Sequence, residues 1–501
     1  MAFAVAAGHP RTAEAAAEVL REGGTAVDAC IAAGFMSGVA EPVLSGLLGG
    51  GFLTVVPADG EPVCLDAFVQ TPRRMRPETE IDRREVVVDF GATEQVFHAG
   101  AGTIATPGLV AGLFEAHGRF GRLPMPELAA QAVSAARQGM KVDDFQSHVL
   151  DLVSPIFTMH PSSKAIYATD DGLLKPGDLF SNPALADVME VLSHEGPGFF
   201  EQGEIAGALL ALEGSHLTAG DLAGYTAQWR VPLAMARQGF DIFLNPPPSL
   251  GGVQIALALT ALPDNPRPAQ VAKAFAAISR LRRQTHADTY PENAAGLLLD
   301  PELVAALRAS LADRMQATRG TTHISVLDAS GTGAALTLSN GEGCGLVLPG
   351  TGLMPNNMLG EEDLVPHGPQ SWVPDRRLAS MMCPMSLRSP GGGLTMMGSG
   401  GSNRIRSALT QVALRLIDAQ EPLEDAITAP RMHYEHATEH GIDLEDFGDG
   451  ETRAAILKDW PKAHVWSRSS MFFGGVHAVR KTGGGYEAAG DPRRSGVGIV
   501  G

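Results

Sequence analysis

Two short apolar runs joined by a glycine turn lie beyond the middle of the chain. The first is His323–Asp328, the turn is Ala329–Gly333, and the second run is Ala334–Leu338. Apolar runs of this length, closed by a glycine turn, predict a buried β-hairpin. Elsewhere helical patterns accompany hairpins rather than regular βαβ units. This combination predicts an α+β fold in which stacked antiparallel sheets are covered by helices.

Helical patterns occur on both sides of this hairpin. Thr12–Arg21 carries alanine and leucine at helical spacing, and Gly23-Gly24 then stops the helix. Thr25 can cap a second apolar helix over Ala26–Ser37. The other predicted elements are a glycine turn at 49–51 followed by a strand at 52–56, helices at 108–140 with a break at 121–124, and helices at 269–284, 302–315 and 404–419.

Glycine and proline, 59 and 34 residues, are spread along the chain rather than gathered in a linker. The length of 501 residues predicts about three domains at roughly 150 residues each. No repeat or low-complexity tract marks a boundary between such domains. The even spread therefore favours one interwoven domain over residues 1–501, with 44% hydrophobic residues to fill its core.

The charge balance excludes one class of partner. The net charge of −18 repels phosphate backbones, so we expect no nucleic acid as a partner.

The four cysteines, Cys30, Cys64, Cys344 and Cys383, form no C-x-x-C pair, which favours buried thiols in a reducing compartment. A signal peptide and a membrane-spanning run are also not predicted, so a cytoplasmic protein is expected.

The sequence Gly320-Thr321-Thr322-His323 stands at the start of the buried hairpin. A threonine hydroxyl is a poor nucleophile until a base removes its proton. If the bond after Gly320 is cut, the new α-amine of Thr321 can serve as that base, since its pKa is about 7.7–8.0. Gly320 lacks a Cβ and leaves room for the Thr321 hydroxyl to reach the preceding carbonyl. The tripeptide alone is more typical of a threonine that merely starts a strand.

Several stretches make the chain similar to γ-glutamyltransferases of the N-terminal-nucleophile hydrolase superfamily. They include the segment 320–328, the start of the chain with Gly8-His9-Pro10 and residues 23–29, the glycine turn 46–52, Thr106-Pro107-Gly108, residues 218–225 and residues 246–253. The resemblance implies a four-layer αββα sandwich, cleaved between Gly320 and Thr321 into a large subunit, 1–320, and a small subunit, 321–501, that remain associated. It also implies a nucleophilic Thr321 that forms an acyl-enzyme and passes the acyl group to water or an amino acid.

The same resemblance assigns roles around the nucleophile. Thr337 matches a second threonine that supports the nucleophile by hydrogen bonding. Backbone N–H groups of Gly400, Gly401 and Ser402 match the oxyanion hole, where donors are needed because negative charge develops there. Ser402 stands where the family usually has a second glycine. The alternative for this stretch is a plain glycine-rich turn.

The residues expected to bind the carboxylate of a γ-glutamyl substrate are only partly matched. The family's arginine is missing from Asp66–Pro72, and Arg73 and Arg74 lie a few residues later. The family's serine pair corresponds to Ala379 and Ser380, so one hydroxyl is lost. Losing a bidentate arginine–carboxylate contact removes both energy and orientation. We therefore expect a retained nucleophile whose acyl group differs from γ-glutamyl.

The residues expected to bind the α-amine also differ from the family pattern. Ser339 stands where the family has an asparagine, and Asn340 follows it. Met358 stands where the family has an acidic or amide residue. Glu361 keeps a carboxylate that can pair with an ammonium group, although runs of surface acids are often only solvated.

Other constellations point to weaker hypotheses. His433, His436 and His440 would share one helix face at spacings of three and four, but a zinc site there is less favoured than ordinary histidines. The chain has no G-x-S-x-G elbow, which disfavours an α/β-hydrolase. The glycines at 341–345 lack the lysine of a phosphate loop, so nucleotide binding has little support.

The sequence thus predicts an amide hydrolase or acyltransferase that needs no metal and no organic cofactor. Its expected substrate is a small-molecule amide or peptide, with a γ-glutamyl compound among the candidates. Two alternatives stay open: an acylase of the same fold with a non-glutamyl donor, and a catalytically silent relative that serves as a binding protein. Membranes are not expected partners, and assembly into a homo-oligomer is left open.

Overall fold

The computed structural model describes residues 2–89, 94–285, 287–288, 291–310, 321–365, 367–368, 370–435 and 440–501. The strands, in chain order, are β1 (Ala4–Ala7), β2 (Gly50–Val56), β3 (Val63–Ala67), β4 (Arg84–Asp89), β5 (Glu94–Ala99), β6 (Met140–Lys141), β7 (Ala168–Thr169), β8 (Gly172–Leu173), β9 (Leu179–Phe180), β10 (Gln228–Arg230), β11 (Leu233–Arg237), β12 (Phe240–Leu244), β13 (Thr322–Leu327), β14 (Gly333–Ser339), β15 (Met385–Arg388), β16 (Leu394–Gly400), β17 (Met432–Tyr434), β18 (Ile442–Glu445), β19 (His464–Trp466), β20 (Gly475–Thr482), β21 (Gly485–Ala489) and β22 (Val497–Val500).

The α-helices, again in chain order, are α1 (Pro10–Arg21), α2 (Ala26–Ala40), α3 (Leu109–Phe120), α4 (Met125–Gln138), α5 (Asp144–Leu152), α6 (Ser154–Phe157), α7 (Pro161–Tyr167), α8 (Pro183–Glu195), α9 (Gly198–Glu201), α10 (Glu204–Leu210), α11 (Ala219–Ala223), α12 (Leu250–Ala261), α13 (Pro268–Gln284), α14 (Ala294–Leu298), α15 (Pro301–Ser310), α16 (Arg404–Ile417), α17 (Leu423–Thr428) and α18 (Gly450–Asp459).

Two antiparallel sheets form the centre of the protein. One has seven strands in the order β10-β3-β2-β14-β13-β1-β22, and the other has six in the order β11-β12-β15-β16-β20-β21. The sheets pack face to face through β13, β14, β16 and β20. Small side chains such as Ala4, Ala6 and Ala335 lie between them with Met396 and Val479. Short side chains on facing strands let the two sheets approach closely.

Helices cover both outer faces. Helix α2 packs on β13 and β14 of the seven-stranded sheet, and α1 packs on β1. Helix α16 packs on β16 and β20 of the six-stranded sheet, and α12 packs against α16. Each group of helices has its own apolar core. The four layers therefore run helix, sheet, sheet, helix, which confirms the predicted αββα sandwich.

The element predictions hold with small shifts at the ends. The hairpin forms as β13 and β14, paired from Thr322↔Leu338 to Leu327↔Gly333. Thr25 caps α2 with a capping box formed with Asp28. Helix α15 begins at Pro301, near the predicted start, while residues 311–315 of that prediction lie outside the described residues. All four cysteines are buried and unpaired, as expected.

Strands from both sides of residue 320 alternate within the seven-stranded sheet. Strands β13 and β14 pair with each other, while β14 also pairs with β2 and β13 also pairs with β1. The last strand, β22, pairs with β1 from the start of the chain. Among the helices of the described residues, we find none whose length and apolar character suit a membrane span.

The close packing of the sheets yields a prediction at Gly398. A Cβ on Gly398 would lie 2.3 Å from Cε1 of the buried His323 ring. Gly398→Ala should therefore lower the free energy of unfolding by about 1–3 kcal/mol, because neither the ring nor the strand can move away. Equilibrium denaturation measures the change. Gly391→Ala is the matched control, since a Cβ there meets no atom within 4 Å; equal stability of the two variants would contradict this account.

Candidate functional site

Thr321 immediately precedes β13, which lies inside the seven-stranded sheet. Its side chain is buried, and the residue is 2% exposed. Continuing the register Thr322↔Leu338 by one residue places Thr321 opposite Ser339. Side chains alternate along a strand, so Thr321 shares its face with His323, which points toward the second sheet. The predicted nucleophile therefore lies where the two sheets meet.

The carbonyl of Thr321 is fixed by two contacts. Nη1 of Arg494 donates to it at 3.1 Å. Gly400 packs so closely that a Cβ there would lie 2.0 Å from the same oxygen, which leaves room for glycine only. Arg494 is buried, and burial lowers its pKa to about 10, so its guanidinium stays charged at neutral pH.

The turn at residues 401–403 joins β16 to the N-terminus of α16. Gly401 has φ +113° and Ser402 has φ +46°, a left-handed conformation that glycine adopts more easily than serine. Ser402, which stands where a glycine was expected, thus keeps the left-handed backbone conformation that glycine favours. Non-glycine residues in this region carry strain that functional sites often retain.

Asp363 anchors this turn. The Ser402 hydroxyl donates to Oδ2 of Asp363 at 2.8 Å, and Nδ2 of Asn403 donates to Oδ1 at 2.7 Å. Asp363 is buried at 8% exposure, whereas acidic runs such as residues 361–363 are often only solvated at a surface. The contact spans about forty residues of sequence, so local pattern could not reveal it.

Thr337 pairs with His323, two pairs further along the hairpin than Ser339. Its hydroxyl is 2.7 Å from Nδ1 of His323, whose Nε2 is 2.8 Å from the Ser325 hydroxyl. Burial lowers the pKa of His323 well below its usual range, so the ring is neutral. The hydroxyl of Thr337 thus belongs to an internal hydrogen-bonded row, and the register brings Ser339 to Thr321 instead.

A cleft opens beside Thr321, and it unites most of the predicted substrate residues. Its lining is Phe68, Thr321, Ser339, Met358, Glu361, Asp363, Leu364, Ser380, Met381, Met382, Ser402 and Ile405. Ser339, Glu361, Ser380 and Ser402 therefore lie together, as predicted. Asn340 does not join them, because its Nδ2 donates to the Met354 carbonyl at 3.0 Å. Gly320 lies outside the described residues.

Among the residues that the structure describes, the lining of this cleft includes no arginine or lysine. Phe68 comes from the stretch where an arginine was expected, and its ring stacks on Phe52 at 5.3 Å. Arg73 and Arg74 are both exposed, and Nε of Arg73 pairs with Asp375 at 3.3 Å. Neither Arg73 nor Arg74 is among the residues that line the cleft.

A buried carboxylate close to Thr321 was not predicted. Oε2 of Glu41 accepts from the Thr322 hydroxyl at 2.6 Å, and Oε1 accepts from Thr12 at 2.8 Å. Burial raises the pKa of Glu41, although His9, the two hydroxyls and Arg494 oppose that shift. Glu41 follows α2 directly, and a lone glutamate after an apolar helix gives no functional signal in sequence.

The histidine-rich segment does not form the face that its spacing suggested. His433 lies in strand β17, where Nδ1 contacts the Ser407 hydroxyl at 2.7 Å and Nε2 contacts Glu435 at 3.0 Å. His440 instead contacts Asp443. His436 lies outside the described residues. The three histidines would share a face only on a helix, and residues 432–434 pair instead as a strand with β18.

Comparisons with known proteins agree on one relationship. The family model described as Gamma-glutamyltranspeptidase matches residues 12–501. The Glutathione hydrolase proenzyme of Pseudomonas aeruginosa is 29% identical, covering 99% of this chain and 94% of its own length. The Acylase ACY 1 proenzyme of Pseudomonas sp. (strain SE83) is 28% identical, covering 95% and 89%. A cephalosporin acylase from Bacillus halodurans superposes with a TM-score of 0.83 over 99% of this chain and 95% of its own; at 21% identity this shows the shared fold.

The register of the hairpin separates the roles of two hydroxyls. Ser339→Ala should lower kcat/KM for amide hydrolysis about tenfold or more, because a hydrogen bond to a charged or reacting group contributes about 1.5–3 kcal/mol. Thr337→Val should mainly lower the melting temperature, because it leaves Nδ1 of His323 without its hydroxyl partner. Steady-state kinetics and thermal unfolding of both variants make the test. A large loss of kcat/KM in Thr337→Val, with little loss in Ser339→Ala, would instead indicate that Thr337 supports Thr321.

Proposed function

Because the chain belongs to the gamma-glutamyltranspeptidase family, whose members are amide hydrolases and acyl transferases, we propose that it is a self-processing amide hydrolase with Thr321 as nucleophile. The observation that carries the proposal is the fixed backbone of Thr321. Arg494 and Gly400 hold its carbonyl beside the turn that starts α16. The α-helix N-terminus beyond this turn favours negative charge. Nucleophile and anion-stabilising backbone thus meet at one place.

Processing would create the active nucleophile. The Thr321 hydroxyl attacks the carbonyl carbon of Gly320, the C–N bond breaks, and an ester replaces the amide. Water then hydrolyses the ester, which leaves a carboxylate on Gly320 and a free α-amine on Thr321. The products are a large subunit, 1–320, and a small subunit, 321–501.

The processed enzyme would act through that amine. The α-amine accepts the proton of its own hydroxyl as the oxygen attacks the substrate carbonyl. The oxyanion forms near the N–H groups of Gly401 and Ser402, which replace water as hydrogen-bond donors. The amine leaving group takes the proton, and water or an amino acid then attacks the acyl-enzyme. Ser339 would hold the Thr321 hydroxyl in position.

The fold supports a stable complex of the two subunits. Strands β13 and β14 come from the proposed small subunit and lie between β2 and β1 of the large one. Contacts such as the Thr322–Glu41 hydrogen bond also cross the proposed boundary. Separation would expose two sheet edges and the apolar cores on both sides. We propose a reducing location such as the cytoplasm, which the four unpaired thiols support.

The charge of the cleft argues for an acyl group other than γ-glutamyl. Two carboxylates, Glu361 and Asp363, line the cleft, and the described part of the lining has no cationic side chain. Phe68, Met358 and Met381 add apolar surface. A substrate carboxylate would meet like charge here, whereas an apolar acyl chain would gain by burial. We propose an uncharged, apolar acyl donor, as an acylase of this family would use.

The first test examines processing. Thr321→Ala should remain a single polypeptide without amidase activity, because it lacks the attacking hydroxyl. Thr321→Ser keeps a hydroxyl and should still yield two fragments. Intact-mass analysis after purification measures both outcomes. A fully active wild-type protein recovered as one unbroken chain would overturn the proposal and would favour a different nucleophile; an uncut and inactive wild type would favour the binding-protein alternative.

The second test examines the acyl group. Processed enzyme should turn over hexanoyl- or phenylacetyl-p-nitroanilide with kcat/KM at least about tenfold above that for γ-glutamyl-p-nitroanilide, since one unfavourable charge contact costs about 1.4 kcal/mol or more. Release of p-nitroaniline reports the rate. Thr321→Ala supplies the background for every substrate. Efficient turnover of the glutamyl compound would contradict the proposed apolar donor.

A further inference from the structure

Three metal-ligating side chains converge away from Thr321. They are His440, Asp443 and His464, and one ligand atom of each lies within 4.8 Å of the other two. Nε2 of His440 is 3.0 Å from Oδ2 of Asp443, and Nδ1 of His464 is 3.2 Å from Oδ1. Among the described residues, this trio is the one group of three or more His, Cys, Asp or Glu side chains that lie close enough together to share an ion.

Backbone pairing fixes these residues in place. Strands β18 and β19 run parallel, and Asp443 pairs directly with His464. Paired residues on neighbouring strands present their side chains to the same face. His440 lies two residues before β18, where its carbonyl accepts from the Ile442 N–H at 2.8 Å. Strand pairing and a backbone hydrogen bond therefore position the three side chains, which do not depend on contacts between long surface side chains.

The donor set selects a class of ion. Two imidazole nitrogens and one carboxylate oxygen suit Zn²⁺ and related divalent transition metals, whereas Ca²⁺ and Mg²⁺ prefer oxygen ligands. Bonds of about 2.0–2.2 Å to a tetrahedral ion set neighbouring ligand atoms about 3.3–3.6 Å apart. The distances of 3.0 Å from His440 to Oδ2 and 3.2 Å from His464 to Oδ1 of Asp443 are slightly shorter than this spacing and end on different oxygens, so the two rings would shift slightly to admit an ion.

A second contact orients the carboxylate. Nε1 of Trp466 donates to Oδ1 of Asp443 at 2.9 Å. Such outer hydrogen bonds commonly hold metal ligands in position. Asp443 is buried, with its side chain 4% exposed, while the side chains of His440 and His464 are 24% and 39% exposed. The carboxylate is thus held rigidly, and an ion can approach from the histidine side.

We propose that His440, Asp443 and His464 bind one divalent transition-metal ion, with Zn²⁺ as the best fit and water as a fourth ligand. The ion would join β18, β19 and the segment before β18. Trp466 stacks on Phe472 at 4.9 Å, and both line a cavity of about 240 Å³ that Arg404 and Arg494 also line. Metal binding would therefore stiffen one wall of the cavity that adjoins Arg494. The alternative is a hydrogen-bonded trio without an ion.

Cobalt and zinc titrations of the chelator-treated, processed protein, free of any affinity tag, test the site. One Co²⁺ per chain should bind with the visible absorption of a tetrahedral complex, and one Zn²⁺ should displace it. His464→Gln and His440→Gln should each weaken Zn²⁺ binding at least about tenfold, and Asp443→Asn should do the same. Circular dichroism confirms that each variant is folded.

The matched control is His160→Gln, which removes an exposed histidine remote in sequence and bonded to Ser162. It should bind Zn²⁺ as the wild type does. Absence of a stoichiometric Co²⁺ complex would overturn the proposal, and so would Zn²⁺ binding that survives the double variant His440→Gln/His464→Gln. Neither result bears on Thr321, since cleavage and amidase activity are measured separately.

Discussion

The approach of β16 to the start of β13 is the constraint on which the site depends. Gly398 makes room for the His323 ring, and Gly400 makes room for the Thr321 carbonyl. Both glycines lie on the same face of β16, so at these two positions the strand places no side chain between itself and the start of β13. Arg494 then supplies the donor for the carbonyl that faces Gly400. A larger residue at either glycine would separate the sheets where the chemistry is expected.

The sequence revealed those parts of the molecule that local pattern determines. The hairpin of β13 and β14 follows from two apolar runs and a glycine turn, and α2 follows from its capping threonine. Thr321 stood out only through its resemblance to a family cleavage site, because a threonine before a strand is common. The contacts of Asp363 with Ser402, and of Arg494 with Thr321, join residues 39 and 173 positions apart. No periodicity links such residues, so only the folded chain could show them.

Register explains two of the differences between expectation and structure. The family resemblance implied Thr337 as the supporting hydroxyl, whereas antiparallel pairing puts Thr337 opposite His323 and Ser339 opposite Thr321. Likewise, helical spacing grouped His433 with His440, whereas strand pairing buries His433 against Ser407 and leaves His440 to meet Asp443. In both cases the side-chain period of two along a strand decided which groups meet.

The electrostatic surroundings of Thr321 bear on how its amine could serve as a base. A base must be neutral at the working pH, so a nearby cation helps and a nearby anion hinders. Arg494 bonds the carbonyl of Thr321 itself, and Glu41 bonds the side chain of the next residue. Burial raises the pKa of Glu41, and the guanidinium of Arg494 stays cationic because its pKa is lowered only to about 10. In the proposed mechanism, the positive charge of Arg494 would lower the pKa of the Thr321 amine and so favour its neutral, basic form.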